Sequence, residues 1–454
     1  MKRFKHIFSV ILAVILINLT TIVKAQDFSG NINTDISVQN SRANEAATAW
    51  LDSVDISLLT CGPGQEVWSY YGHSALRIQD KVHDTDVAVN WGMFSFKQDY
   101  FILRFVFGLT DYQIGIYPMT DFLAEYAAEG RWVRQQRIHL SREEKLKILH
   151  AIEENAKPEN RIYRYNFFFD NCTTRAREMI LTNIGYSNTN FDNSSANSCY
   201  RNEIHKFNEN HRWARFGNDL LLGHLADISI SKREWEFLPE NLSQDFATEG
   251  RKDNFNDEQV LGDENYLDSK NGYITLVDST FYLIAPHSQA EVENEGITPL
   301  NVAIIIALII IGVSITEWYR KKNYWLFDTI LFIATGLPGL ILFAMIFSQH
   351  PTVQVNFQIF LLNPVNLFFV WKTTKKMRQG KSYWYYDLWG LCLLVALLLE
   401  VWQDYAEGMG CLALSLLIRY AFKSSLLDLS ENKLNLTKHI TKKFRRKKVT
   451  YKPL

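Results

Sequence analysis

Two short stretches hold residue types that could act together as a nucleophile and its base. The first is Tyr70-Tyr71-Gly72-His73-Ser74-Ala75-Leu76-Arg77-Ile78, and the second is Phe168-Phe169-Asp170-Asn171-Cys172-Thr173-Thr174-Arg175. A thiol attacks at neutral pH only when a nearby base and an electropositive setting favour the thiolate. Asp170 or Asn171 can cap a helix that follows, which puts Cys172 in its first turn. Unpaired backbone N–H groups and the helix dipole favour an anion there, and the same N–H groups can hold the oxyanion of an acyl intermediate. The competing reading of Cys172 is a small apolar core residue. The Asp-Asn before it and the Thr-Thr-Arg after it argue against an ordinary core position.

His73 is the best candidate base. On an extended segment His73, Ala75 and Arg77 share one face and Ser74, Leu76 and Ile78 the other, so the histidine can face a cleft at the strand end. A base needs an orienting partner. Asn90, in Val89-Asn90-Trp91-Gly92-Met93-Phe94, lies on the next expected strand within reach, with Asp86 and His83 as alternatives. Tyr71, Asn171 and His350 are taken as supporting residues. The exported part holds three cysteines, Cys61, Cys172 and Cys199, so at least one stays free unless it bonds another chain. Cys61 and Cys199 could pair and leave Cys172 free. No pair of cysteines has the spacing of a metal site, and no cofactor or metal is expected.

The elements that must carry these residues read as an α+β domain. Strands are expected over 54–59, 72–78, 86–96 and 132–140, with a turn at Cys61-Gly62-Pro63-Gly64. Thr120-Asp121 can cap a helix over 122–128. Ser141-Arg142-Glu143-Glu144 forms a capping box for a helix to about Asn155, with Leu146, Leu149 and Ile152 on one face. Residues 161–168 are aromatic and extended, a helix follows over 172–182, and 200–225 reads as helical. Residues 243–296 are acidic and poor in helical signals, although 272–284 could form a strand or hairpin. The aromatic segment 100–107 could line an acyl pocket or pack in the core.

Among 454 residues the 48 Lys and Arg balance 49 Asp and Glu, and that near-zero sum argues against a nucleic-acid partner. The charges are segregated along the chain. Lys2, Arg3 and Lys5, an apolar run over 8–19 and Val23-Lys24-Ala25 make a secretory signal, with an uncleaved anchor as the alternative. Apolar runs follow over 300–315, 326–347, 357–371, 386–401 and 406–422, the third interrupted by Asn363-Pro364. Basic clusters at Arg320-Lys321-Lys322, over 372–381 and in the C-terminal tail all fall on one side if the first run passes outward to inward, as the positive-inside rule requires. The expected organisation is a signal peptide over 1–25, an exported thiol domain over 26–242, an acidic linker over 243–297, about five transmembrane helices over 298–425 and a basic cytoplasmic tail over 426–454. The location is the inner membrane, with the N-terminal domain in the periplasm.

The Tyr-Gly-His-Ser strand, the Asn-Trp-Gly-x-Phe strand and the Asn-Cys-Thr-Thr-Arg helix start resemble the permuted papain-like (NlpC-like, LRAT-like) superfamily, in which the histidine precedes the cysteine. More closely, the chain resembles the Lnb-type lipoprotein N-acyltransferases of Bacteroidetes, and Ser348-Gln349-His350-Pro351 and Asn363-Pro364 fit that likeness. The resemblance implies Cys172 as nucleophile and His73 as base, and does not securely fix Asn90. It also implies a phospholipid acyl donor and, as acceptor, the α-amine of a lipoprotein's diacylglyceryl-cysteine. Two other readings stay open on the residues alone: a cell-wall peptidase or amidase of NlpC type, and a non-catalytic lipoprotein-binding scaffold.

Overall fold

A computed structural model describes residues 48–94, 99–184, 194–248, 250–252, 273–286 and 296–449. The expected signal segment lies outside these residues. The N-terminal part is built on an antiparallel sheet of seven strands. Six of them are β1 (Val54–Cys61), β2 (His73–Asp80), β3 (Thr85–Met93), β4 (Asp111–Pro118), β5 (Val133–Ile138) and β6 (Ile162–Arg164). The seventh, Val277–Ile284, pairs with β5 and completes the order Val277–Ile284, β5, β1, β2, β3, β4, β6. The stretch expected as a linker thus contributes an edge strand, within the 272–284 segment where a strand or hairpin was expected. It also holds the end of helix Pro239–Thr248.

β1 is apolar along most of its length because both sheet faces are covered. Ile56 and Leu58 join a core shared with helices Arg142–Ala156 and Cys172–Leu181. Leu59 and Cys61 face Phe122 and Tyr126 on the opposite side. We number the helices α1 (Phe101–Val106), α2 (Met119–Ala128), α3 (Arg142–Ala156) and α4 (Cys172–Leu181). α3 starts on the expected capping box, with Ser141 and Glu144 bonded reciprocally. Its buried residues, however, are Ile148 and Ile152, while Leu146 is 41% exposed. The stripe turns by about 100° per residue, and the periodic reading placed its first member one step off the core. Residues 200–225 form two helices rather than one, Tyr200–His205 and α5 (Arg212–Leu221), with α6 (Pro239–Thr248) beyond. Fully buried Arg201 joins these pieces by bonding Asp219 at 2.8 Å and Asp227 at 2.6 Å.

The C-terminal part is helical: α7 (Pro299–Arg320), α8 (Trp325–Met345), α9 (Val365–Arg378), α10 (Trp384–Leu399) and α11 (Met409–Val449). Among the described residues, four segments are long and apolar enough to cross a membrane: Pro299–Arg320, Trp325–Met345, Pro351–Arg378 and Met409–Asn432. Of the five expected runs, the fourth is the exception. α10 has 16 residues, about 24 Å of helix, against a hydrocarbon core of about 30 Å. The third run is broken, as its Asn-Pro suggested, into a 3-10 turn at Phe357–Phe360 and α9. Asn366 ties three helices together, donating to Thr335 at 2.8 Å and accepting from the Tyr385 hydroxyl at 2.6 Å.

Four charged side chains, each at most 2% exposed, meet inside this helical part: Glu317, Asp328, Arg419 and Lys423. Arg419 grips Asp328 with two bonds of 2.9 and 3.0 Å and also pairs with Glu317. Lys423 reaches Glu317 at 2.5 Å, Asp328 at 2.8 Å and Asn323 at 2.8 Å. The set is formally neutral, which is how charges persist between apolar helices.

The two parts are joined through the end of α5. Its last carbonyls have no intrahelical partner, and amides from the connections between the apolar helices cap them. Gln358 donates to Asp219 O at 2.9 Å, Asn356 to Leu220 O at 2.9 Å and Gln403 to Leu222 O at 3.2 Å. The backbone N–H groups of Gly223 and His224 donate to Thr352 O and Val355 O, both at 2.8 Å. A Cβ on Gly223 would sit 2.1 Å from Val355 O, so only glycine permits this approach. Arg212 pairs with Glu407, and the Trp213 indole donates to Ile297 O at 2.9 Å.

Candidate functional site

His73 opens β2 and Cys172 opens α4, which packs across β2 and β3. Asn171 is the N-cap. Its side chain accepts from the Thr174 N–H at 2.8 Å, and the Thr174 hydroxyl accepts from the Asn171 N–H at 2.9 Å. The Asn171 amide also donates to Phe167 O and Phe237 O, at 2.7 and 2.9 Å. Asp170 clamps the same turn by gripping Arg175 at 2.6 and 2.8 Å. Thr173 lies against Ser74, hydroxyl to hydroxyl at 3.1 Å, which locks α4 to the residue after His73. The helix start is therefore held by its own cap on one side of the sulfur and bonded to the strand start through Thr173 on the other.

The imidazole of His73 is held at its far edge. Nε2 lies 2.5 Å from Asn90 Oδ1, so Nε2 carries the proton and Nδ1 is the nitrogen left for the thiol. Asn90 is held in turn, donating to the Tyr117 hydroxyl at 2.6 Å and to Met93 Sδ at 3.6 Å. The register of β2 on β3 pairs Ala75 with Asn90, which brings the amide to the strand end where His73 stands. The two alternative orienters are engaged elsewhere: Asp86 holds Arg77 at 2.7 and 2.6 Å, and His83 pairs with Asp80 at 2.5 Å.

Burial pushes the Cys172 thiol up. The positive charge and hydrogen bond of His73, the Ser74 backbone N–H and the Thr173 hydroxyl outweigh that, and the thiol falls to about 7. For His73, burial pushes down, while the Cys172 charge, its hydrogen bond and the Asn90 bond bring the imidazole above its ordinary value. Each group thus stabilises the charged form of the other, as a thiolate–imidazolium pair requires. Gly92, at φ +97°, forms one wall of the space beside them. A Cβ there would lie 3.6 Å from His73 Cε1 and 3.8 Å from Cys172 Cβ, and an L side chain would be strained in that conformation.

The other expected residues lie further out. The Tyr71 hydroxyl accepts from Asn218 at 2.7 Å, and its ring packs edge-on to Phe167 at 4.9 Å, so it couples the strand start to α5. His350 sits against the ring of Phe105 at 6.5 Å and against Gly108. Cys61 and Cys199 are both buried and both free, so they do not form the pair that the count allowed. Burial pushes the Cys61 thiol up to about 12, which makes it unreactive beside Cys172. Tyr117 escaped the sequence reading because an alternating strand position carries no sign of which polar atom it meets.

One consequence is directly measurable. Alkylation of Cys172 by iodoacetamide, followed by peptide mass spectrometry, is expected to reach half its limiting rate near pH 7. In His73→Ala the midpoint is expected at or above the ordinary thiol value of 9.0. An unmodified protein titrating at that ordinary value contradicts the pairing.

Residues 42–201, which hold both His73 and Cys172, match the family described as the Lnb N-terminal periplasmic domain. Residues 291–429 match the Lnb transmembrane domain. Comparison with curated proteins gives no match, and neither does comparison with solved structures. Two matches in the same order, one over the paired thiol and imidazole and one over the apolar helices, make this chain a member of the Lnb family.

Proposed function

We propose that this protein moves an acyl chain from a phospholipid, through a thioester on Cys172, to the α-amine of a lipoprotein's N-terminal diacylglyceryl-cysteine. The observation that carries the reading is the mutual stabilisation of Cys172 and His73 on a domain capped onto membrane helices. A helix-borne cysteine packed on a strand-borne histidine also supports the permuted papain-like relationship. Family membership supports the acceptor class, and the apolar helices support a reaction whose donor and acceptor share a bilayer with the enzyme.

The steps follow from the geometry. His73 Nδ1 takes the thiol proton, and the thiolate attacks the ester carbonyl of the donor. The N–H groups of Cys172 and Thr173, which have no acceptor within the helix, can hold the oxyanion. The C–O bond breaks, and imidazolium returns the proton to the leaving lysophospholipid oxygen. The acceptor amine then attacks the thioester carbonyl. His73 accepts the amine proton, the C–S bond breaks, and an amide is formed with the thiolate regenerated. Asn90 and Tyr117 keep Nδ1 aimed at the sulfur through both halves. Confinement of enzyme and both substrates to one bilayer raises their effective concentration. The N-terminal domain works on the periplasmic side, with the basic tail in the cytoplasm.

The test is to express the protein in cells that lack lipoprotein N-acylation and to weigh the lipoprotein N-termini. A gain of one acyl chain is expected. Unchanged lipoproteins with altered muropeptides would instead assign the thiol to cell-wall cleavage.

A further inference from the structure

α1 is a six-residue helix between β3 and β4, preceded by Tyr100, and three apolar side chains of this segment are exposed. Tyr100, Leu103 and Phe105 are 79%, 56% and 46% exposed. Such a cluster facing water is unusual for a stable domain. Its position gives the reason. The backbone N–H of Gln349 donates to Phe107 O at 2.9 Å, directly after α1, and Gly108 lies against Gln349 and His350. Gln349 follows the membrane-crossing helix α8 by four residues, and Ile346 and Phe347 between them are 41% and 66% exposed. The end of α1 is therefore bonded to the chain at the level where the apolar bundle emerges.

The same segment leads to the thiol. β3, which precedes it, carries Asn90 and Gly92 beside His73 and Cys172. β4, which follows it, starts at Asp111, paired with Arg104 of α1 at 2.7 Å. Phe94 and Tyr165 pack on Tyr112, at 4.9 and 4.2 Å, between that point and the core that contains Cys172.

We infer that α1 dips into the lipid interface beside α8 and is the route by which a phospholipid ester leaves the bilayer for Cys172. The bilayer contact stands on its own geometry, whereas the donor route rests on the acyl-transfer reading. A lipid surface fits the segment because side chains at this depth meet headgroups and upper acyl carbons, and Tyr is suited to that boundary.

The experiment uses the full chain in phosphatidylethanolamine–phosphatidylglycerol vesicles. An environment-sensitive fluorophore is placed at Leu103→Cys in a Cys172→Ala, Cys411→Ala background, with Lys81→Cys, on the β2–β3 hairpin, as the water-exposed control. Blue-shifted emission at position 103, quenched by lipids carrying nitroxide near the headgroup, is expected. Water-like, unquenched emission overturns the contact. A blue shift that needs added lipoprotein also overturns it, in favour of a protein partner. In the otherwise unaltered chain, Tyr100→Asp with Leu103→Asp should slow acylation of Cys172 by vesicle phospholipid about tenfold, through loss of effective concentration, and leave its acylation by a soluble short-chain p-nitrophenyl ester unchanged. Equal loss with both substrates overturns the route. Failure of the unaltered enzyme with vesicle lipid would sink the acyl-transfer reading while the depth measurement still stands or falls by itself.

Discussion

Cys172→Ala is expected to abolish addition of the third acyl chain, lowering the rate at least about ten-thousandfold, because the proposed reaction passes through a thioester on that sulfur. The fold should survive, because the capping bonds of Asn171 and Thr174 do not involve the sulfur. A hydroxylamine-labile acyl mass on the Cys172 peptide should appear with phospholipid alone and vanish in the variant. Cys61 cannot substitute, being buried with its thiol pushed up to about 12. His73→Ala should cost about a hundredfold to ten-thousandfold near neutrality, the usual share of a general base. Its residual acylation should climb with pH as the unassisted thiol ionises, whereas the unmodified enzyme should level off above about 7. A His73→Ala protein with the original rate and pH profile would remove the histidine from the reaction.

The largest expected effect on stability lies in the helical part. Arg419→Met leaves Asp328 and Glu317 with Lys423 alone in an apolar surrounding, and should destabilise the protein by about 3–5 kcal/mol, the usual loss when one partner of a buried ion pair is removed. Thermal unfolding in detergent would report this as a clear drop in midpoint. Adding Asp328→Asn restores neutrality and should recover much of the loss. If the single variant unfolds at the original temperature, the quartet does not hold the helices together.

The placement of Cys172 beside His73 was legible in the sequence because it depended on short-range patterns. Asn171-Cys172 announces a capped helix with a thiol in its first turn, and His73 and Asn90 fall on strands joined by a short hairpin, so their approach follows from antiparallel pairing. Features that depend on distant partners were hidden. A strand within 272–284 was expected, but not its partner β5, more than a hundred residues earlier. Gln358 and Gln403 are ordinary amides until α5 supplies carbonyls from a remote part of the chain. Tyr71 stands beside His73 in sequence, yet its hydroxyl serves Asn218. The buried charges were passed over: Asp328 and Arg419 fall within apolar runs and Glu317 and Lys423 just beyond them, a signal that marks structure or function in a membrane.

The capping of α5 by Asn356, Gln358 and Gln403 has a consequence for acceptor choice. Those bonds, with the Gly223 approach, hold the end of α5 against the connections of the helical bundle and oppose movement of the N-terminal domain away from it. On the proposed reaction, that attachment favours one working height for the sulfur above the helices. On the same reaction, any amine that its own lipid anchor holds at that height qualifies, whatever peptide follows it. Selection by height needs no reading of side chains, so a single enzyme of this build can serve a whole population of lipoproteins with unrelated sequences.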